Sequence, residues 1–90
     1  MLKIRYTSRF KKDYKAIVKR RYNIELLVRV LEYLVNEKTL PEKHLDHALS
    51  GLYEGFRECH ILSDWLLIYI IEKDTLTLSL TRTGTHNDVF

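Results

Sequence analysis

Leu2, Ile4 and Tyr6 alternate with Lys3 and Arg5, a period of two that predicts a short, half-buried N-terminal strand ending at Thr7-Ser8. Either hydroxyl can cap a helix. From Arg9 to about Arg21 the apolar residues Phe10, Tyr14, Ile17 and Val18 form one stripe opposite the lysines, which predicts an amphipathic helix with a basic outer face. Asn23 is placed to cap a second helix from Ile24 to about Asn36. Its apolar set (Ile24, Leu27, Val28, Leu31, Leu34, Val35, with Leu26 and Val30 beside them) is broader than a stripe and predicts deeper burial. The short connection makes the two an antiparallel pair on one side of a sheet.

Residues 37–51 show no sustained period and include the only proline, Pro41, which predicts a long ordered loop anchored at Leu40, Leu45 and Leu49. After Gly51 the alternation returns. Strands are expected over residues 53–61, Trp65–Glu72 and Thr75–Arg82, with turns at Ser63-Asp64 and Lys73-Asp74. In the last strand Leu76, Leu78 and Leu80 alternate with Thr77, Ser79 and Thr81, so one face is buried. The tail from Thr83 to Phe90 is expected to form a helical turn. The pattern gives an α+β fold: a short N-terminal strand, an antiparallel helix pair, then a three-strand antiparallel meander, joined in one mainly antiparallel sheet.

Composition restricts this to one domain over residues 1–90. Ninety residues, 46% hydrophobic and 30% charged, cannot divide into two cores and are too apolar for wholesale disorder. The net charge of +3 is mild, but nine bases and one acid, Asp13, lie between Met1 and Arg21. Such asymmetry favours a polyanion or an acidic protein partner for that face, with a solvated lysine-rich helix as the plainer alternative. Cys59 is the only cysteine, which excludes an intrachain disulfide and a Cys-based zinc site and suits a reducing cytoplasm. No apolar run approaches the roughly 18 residues of a membrane span, so no membrane anchor is expected.

Strand parity sorts the candidate chemistry. Phe56, Glu58 and His60 share one face while Arg57, Cys59 and Ile61 share the other, so Cys59 points away from His60 and reads as a buried hydrophobe. His60 and Asp64 flank a bend where the carboxylate can orient an imidazole suited to proton transfer; the alternative is a histidine partly covered by Trp65 or Phe56 beside an ordinary turn aspartate. His44 and His47 lack a partner pair at zinc spacing, so no metal is expected. His86 reads as an exposed histidine in a polar tail. Arg82 carries the parity of the leucine face, so either the strand has ended there or the guanidinium sits half-buried at the sheet's end, which an anion site would accommodate.

Four blocks then carry a resemblance: Asp46-His47-Ala48-Leu49-Ser50-Gly51, Phe56-Arg57-Glu58-Cys59-His60, Asp64-Trp65-Leu66-Leu67-Ile68-Tyr69, and Arg82-Thr83-Gly84-Thr85-His86 with Phe90. In this order they resemble the YafQ branch of the RelE/ParE toxin superfamily along nearly the whole chain. The resemblance implies a RelE-like microbial ribonuclease fold and a bacterial type II toxin: a ribosome-dependent endoribonuclease (mRNA interferase) without cofactor, acting on mRNA and held inactive by a cognate antitoxin. It implies His47, His60, Asp64 and His86 as catalytic residues, with Arg82 and Phe90 as site residues; His44 has no counterpart and reads as a surface histidine. Substrate contact by Lys11, Lys12 and Lys15 is the expectation from the basic helix. Ala48 and Ser63 depart from the family, which often has proline at both places. The competing reading is a non-catalytic nucleic-acid- or partner-binding module of the same superfamily, including ParE-like inhibition of another target, whose members lack this histidine set.

Overall fold

The computed structural model describes residues 1–90. Strand β1 (Lys3–Tyr6) leads into helix α1 (Ser8–Lys19), which Thr7 caps by accepting the Phe10 amide at 3.0 Å while its hydroxyl donates to the Thr81 carbonyl at 2.8 Å. One side chain thus fixes the helix start and ties it to the sheet. Helix α1 ends where Arg21 takes a φ of 63°, and Asn23 caps α2 (Ile24–Val35) through the Glu25 amide at 3.2 Å. Both helices stand within two residues of their expected bounds.

The sheet has five strands rather than four. Its order is β1-β5-β4-β3-β2, with β2 at His47–Ala48, β3 at Arg57–Leu62, β4 at Trp65–Glu72 and β5 at Thr77–Gly84; a short helix α3 (His86–Val89) closes the chain. Strand β1 pairs with β5 in parallel and every other pairing is antiparallel. The loop expected over 37–51 therefore contains a two-residue strand, too short to leave a period in the sequence. Strand β3 starts later than expected because Gly51 and Gly55, at φ of 67° and 92°, bracket a tight turn at Gly51–Tyr53. Leu76, at a φ of 50°, delays β5 to Thr77.

Helices α1 and α2 bury Phe10, Ile17, Leu27, Val30 and Leu34 against Cys59, Ile61, Leu67, Tyr69, Leu78 and Leu80 on one face of the sheet, a single cluster of 15 residues. Each large apolar side chain sequestered there contributes roughly 1.5–3 kcal/mol. The opposite face carries the other parity. Across it, His47, Glu58, Ile68 and Arg82 are successive cross-strand partners, and His60, Leu66 and Gly84 form the next row. A bulge between Ile68 and Tyr69 in the pairing with β5 leaves Thr81 without a partner. That extra residue turns Arg82 from the leucine face onto the histidine face and puts Thr83 in its place among the core residues, where its hydroxyl accepts the Trp65 indole at 3.0 Å and donates to Leu66 at 2.7 Å.

Candidate active site

The rings of His47 and His60 are each set by a main-chain contact. The His47 ring Nδ1 lies 2.6 Å from the Leu45 carbonyl, and the His60 Nδ1 lies 3.2 Å from the Ser63 carbonyl. A carbonyl only accepts, so Nδ1 carries the proton in both rings and Nε2 is the nitrogen left to work. Those two Nε2 atoms face one oxygen. Glu58 Oε1 stands 3.5 Å from His47 and 3.7 Å from His60. The Glu58 side chain is almost fully buried, and its Oε2 has no hydrogen-bond partner.

The strand that presents His47 is held from beneath. Asp46, immediately before it, accepts the Tyr69 hydroxyl at 2.6 Å and both Arg57 nitrogens at 3.3–3.4 Å. These bonds lie on the core side, so they fix β2 while leaving the His47 ring on the other face. Burial, and then Asp46, raise the Tyr69 phenol, keeping it a proton donor to that carboxylate. Burial likewise pushes the Cys59 thiol far up, which agrees with its expected role as a buried hydrophobe.

His86 arrives from the other end of the chain. Thr85 and Asp88 form a reciprocal capping box that starts α3. Arg20, which caps the C-terminal end of α1, grips Asp88 at 2.6 and 3.1 Å, and Val89 is buried. The His86 ring then lies 6.5 Å from that of His60 and 5.6 Å from that of Phe90, centroid to centroid. Asp64 holds it from the hairpin turn, accepting the His86 amide at 3.2 Å with the ring Nδ1 at 3.8 Å. This corrects the expected pairing of Asp64 with His60. The turn carries the aspartate past the end of β3 toward α3, and the Ser63 carbonyl takes the His60 proton instead.

His47, His60, Asp64, His86 and Phe90 therefore gather on one face, with Phe90 more than half exposed. Arg82 is present but committed: its Nε donates to Asp13 at 2.7 Å and one Nη to Asp13 at 3.3 Å and to the Asp88 carbonyl at 3.0 Å. These bonds make it a strut between α1, β5 and α3. Lys11, Lys12 and Lys15 are not brought to the site. They lie on α1 in the layer against the opposite face of the sheet, where Lys11 and Lys15 flank an apolar groove with Phe10 and Val28. His44 is no bare surface histidine, because its Nδ1 donates to the His60 carbonyl at 2.6 Å.

Two residues of the site escape a reading of the sequence. Glu58 shares the His60 parity, and a lone acid on a strand whose neighbours are buried is the signal. Tyr53 has no signal, since it sits in the turn between two glycines and meets Phe90 edge-on at 5.7 Å and Phe56 at 6.1 Å.

Known proteins share this outline. The family described as "Bacterial toxin of type II toxin-antitoxin system, YafQ" matches residues 2–90. The mRNA interferase toxin YafQ of Escherichia coli K12 is 35% identical over 88 residues, covering 97% of this chain and 94% of the relative. Among solved structures, a metal-bound toxin from Helicobacter pylori superposes with a TM-score of 0.95 at 42% identity, covering 100% of both chains. A structure of the E. coli DinJ-YafQ complex superposes with a TM-score of 0.89 at 35% identity, covering 100% of this chain and 99% of that one. Because sequence and backbone agree over nearly the whole length, the chain belongs to the YafQ family of type II toxin–antitoxin toxins.

Proposed function

We propose that this protein is an mRNA interferase, an endoribonuclease that cuts mRNA on the ribosome, and that a cognate antitoxin neutralises it by forming a complex, as in the DinJ-YafQ pair. Acting on translating ribosomes, it operates in the cytoplasm. The observation that carries the reading is the placement of two imidazole Nε2 atoms against one buried carboxylate oxygen, with a third imidazole beside them. A base takes the proton of a ribose 2′-hydroxyl, the 2′-oxygen bonds to phosphorus, the bond to the 5′-oxygen breaks, and an acid protonates that leaving oxygen. The products are a 2′,3′-cyclic phosphate and a 5′-hydroxyl.

His47 or His60 serves as the base, with the nearby Glu58 carboxylate compensating the charge that forms when one takes the proton. His86, oriented by Asp64, is the acid, and Phe90 stacks on a base. These side chains suffice for every proton transfer in the sequence of steps. General acid–base groups contribute about 10²–10⁴-fold each, and the remaining acceleration falls to alignment of the RNA by the ribosome. Primer extension on a programmed mRNA tests the reading. New 5′-hydroxyl ends are expected with the wild type, and His60→Ala and His86→Ala should each lose about 10²-fold or more while remaining folded. Inhibited translation without new RNA ends would instead favour the binding-module reading, and wild-type cutting by both variants would remove the assigned residues.

A further inference from the structure

Strand β2 covers β3 only at Arg57 and Glu58, so the edge of β3 from His60 onward is left without a partner strand. A cavity of about 480 Å³ opens there between α2 and the turn at Glu42–His44. Leu26, Leu45 and Leu62 supply apolar wall, with Leu45 and Leu62 more than half exposed. Arg29 from α2 and Lys43 from the turn supply two cations, and no acidic side chain lines the space. Neither cation takes part in an ion pair within the fold, whereas Arg20, Arg57, Lys73 and Arg82 all do. His60 lines the cavity as well as bearing on the Glu58 carboxylate, so the two sites meet at one residue.

From this we infer that the cavity is a subsite for a nucleotide of the substrate RNA flanking the bond that is cut: a phosphate between Arg29 and Lys43, a base or ribose against the leucines. The inference rests on the RNA-cutting reading proposed above. An RNA strand fits better than an acidic peptide because the space continues from the reacting residues, and a strand crossing the site must run on past them. Two unpaired guanidinium and ammonium groups over an apolar wall match the alternation of charge and ring along such a strand.

Two measurements test it. A short RNA carrying 2′-O-methyl groups cannot be cut; titrated into the labelled protein, it should shift the amides of Leu45, Leu62 and Ser63, and Arg29→Gln/Lys43→Gln should abolish those shifts. Shifts confined to the face of His47 and His86 overturn the subsite, and so does their persistence in the double variant. On programmed ribosomes, Arg29→Gln/Lys43→Gln should raise KM severalfold at unchanged kcat and reduce the salt slope of binding by about two, roughly one for each cation removed from a phosphate. Unchanged KM and salt slope overturn it. A wild type that shifts at Leu45 and Leu62 yet produces no new RNA ends would sink the nuclease reading, and with it the place beside a cut bond, while leaving the cavity as an RNA-binding site.

Discussion

Glu58 is costly where it stands. A carboxylate oxygen that is buried without a partner sacrifices about 1–3 kcal/mol of hydration. Its other oxygen stands where the Nε2 atoms of two imidazoles converge. Activity and stability should therefore respond in opposite directions. Glu58→Leu is expected to raise the unfolding midpoint while cutting falls by about a hundredfold, the low end of what one acid–base group supplies. Thermal unfolding and single-turnover cleavage on the same preparation check both signs, and a variant that is both less stable and fully active would contradict the assignment. At this scale the sequence is partly readable. Parity alone separates Cys59 from His60 and puts Glu58 on the histidine side, but it does not tell which carboxylate serves which ring, because Asp64 pairs with a residue 22 positions later.

Among the elements, β2 has the least of its own to hold it. Two residues of ladder on an edge do not fix the His47 ring, and the bonds that Asp46 accepts from Tyr69 and Arg57 supply what the ladder lacks. Asp46→Ala leaves the buried Tyr69 hydroxyl unpaired, which should cost about 1–3 kcal/mol. The looser strand should lose up to about 10²-fold in rate through misplacement of His47. If Asp46 acts through His47, then adding Asp46→Ala to His47→Ala slows cutting no further; an equal loss in both backgrounds would show a separate role. The elements that the pattern reveals are the long ones, α1, α2 and the meander, whose periods persist over many residues. The bulge at Thr81 is invisible, since an alternating run reads straight through it. For that reason the alternation puts Arg82 on the leucine face, although one unpaired residue turns it over.

For the molecule as a whole, the end of α1 is joined to α3. Asp88 near the C-terminus holds Arg20 at the end of α1, and the Arg20 guanidinium, followed by the Thr85 amide, keeps the Asp88 carboxyl below the ordinary aspartate value of about 3.9. A carboxyl lowered on folding adds stability above its unfolded value and loses it as pH drops toward the folded one. Wild type should therefore exceed Asp88→Asn in unfolding midpoint at pH 7, with the gap closing as pH falls below about 4. Melts across that range measure it, and a gap independent of pH would count against the ion pair. The two-sided plan also sets where the lysines of α1 lie. Charge counted along a chain does not say which side of a sheet the charge faces, so the basic helix that reads as an RNA surface lies in the layer away from the histidines.

The ring protons of His44, His47 and His60 all go to main-chain carbonyls, those of His60, Leu45 and Ser63. Every amino acid, proline included, brings the same oxygen to its position. Leu45 and Ser63 can therefore be exchanged over evolutionary time without altering which nitrogen of each ring remains available, provided the backbone path is kept. At those two positions the ring geometry is insulated from drift, and the pressure to conserve falls on the rings, on Glu58, and on Asp46 and Asp64, whose side chains hold β2 and His86.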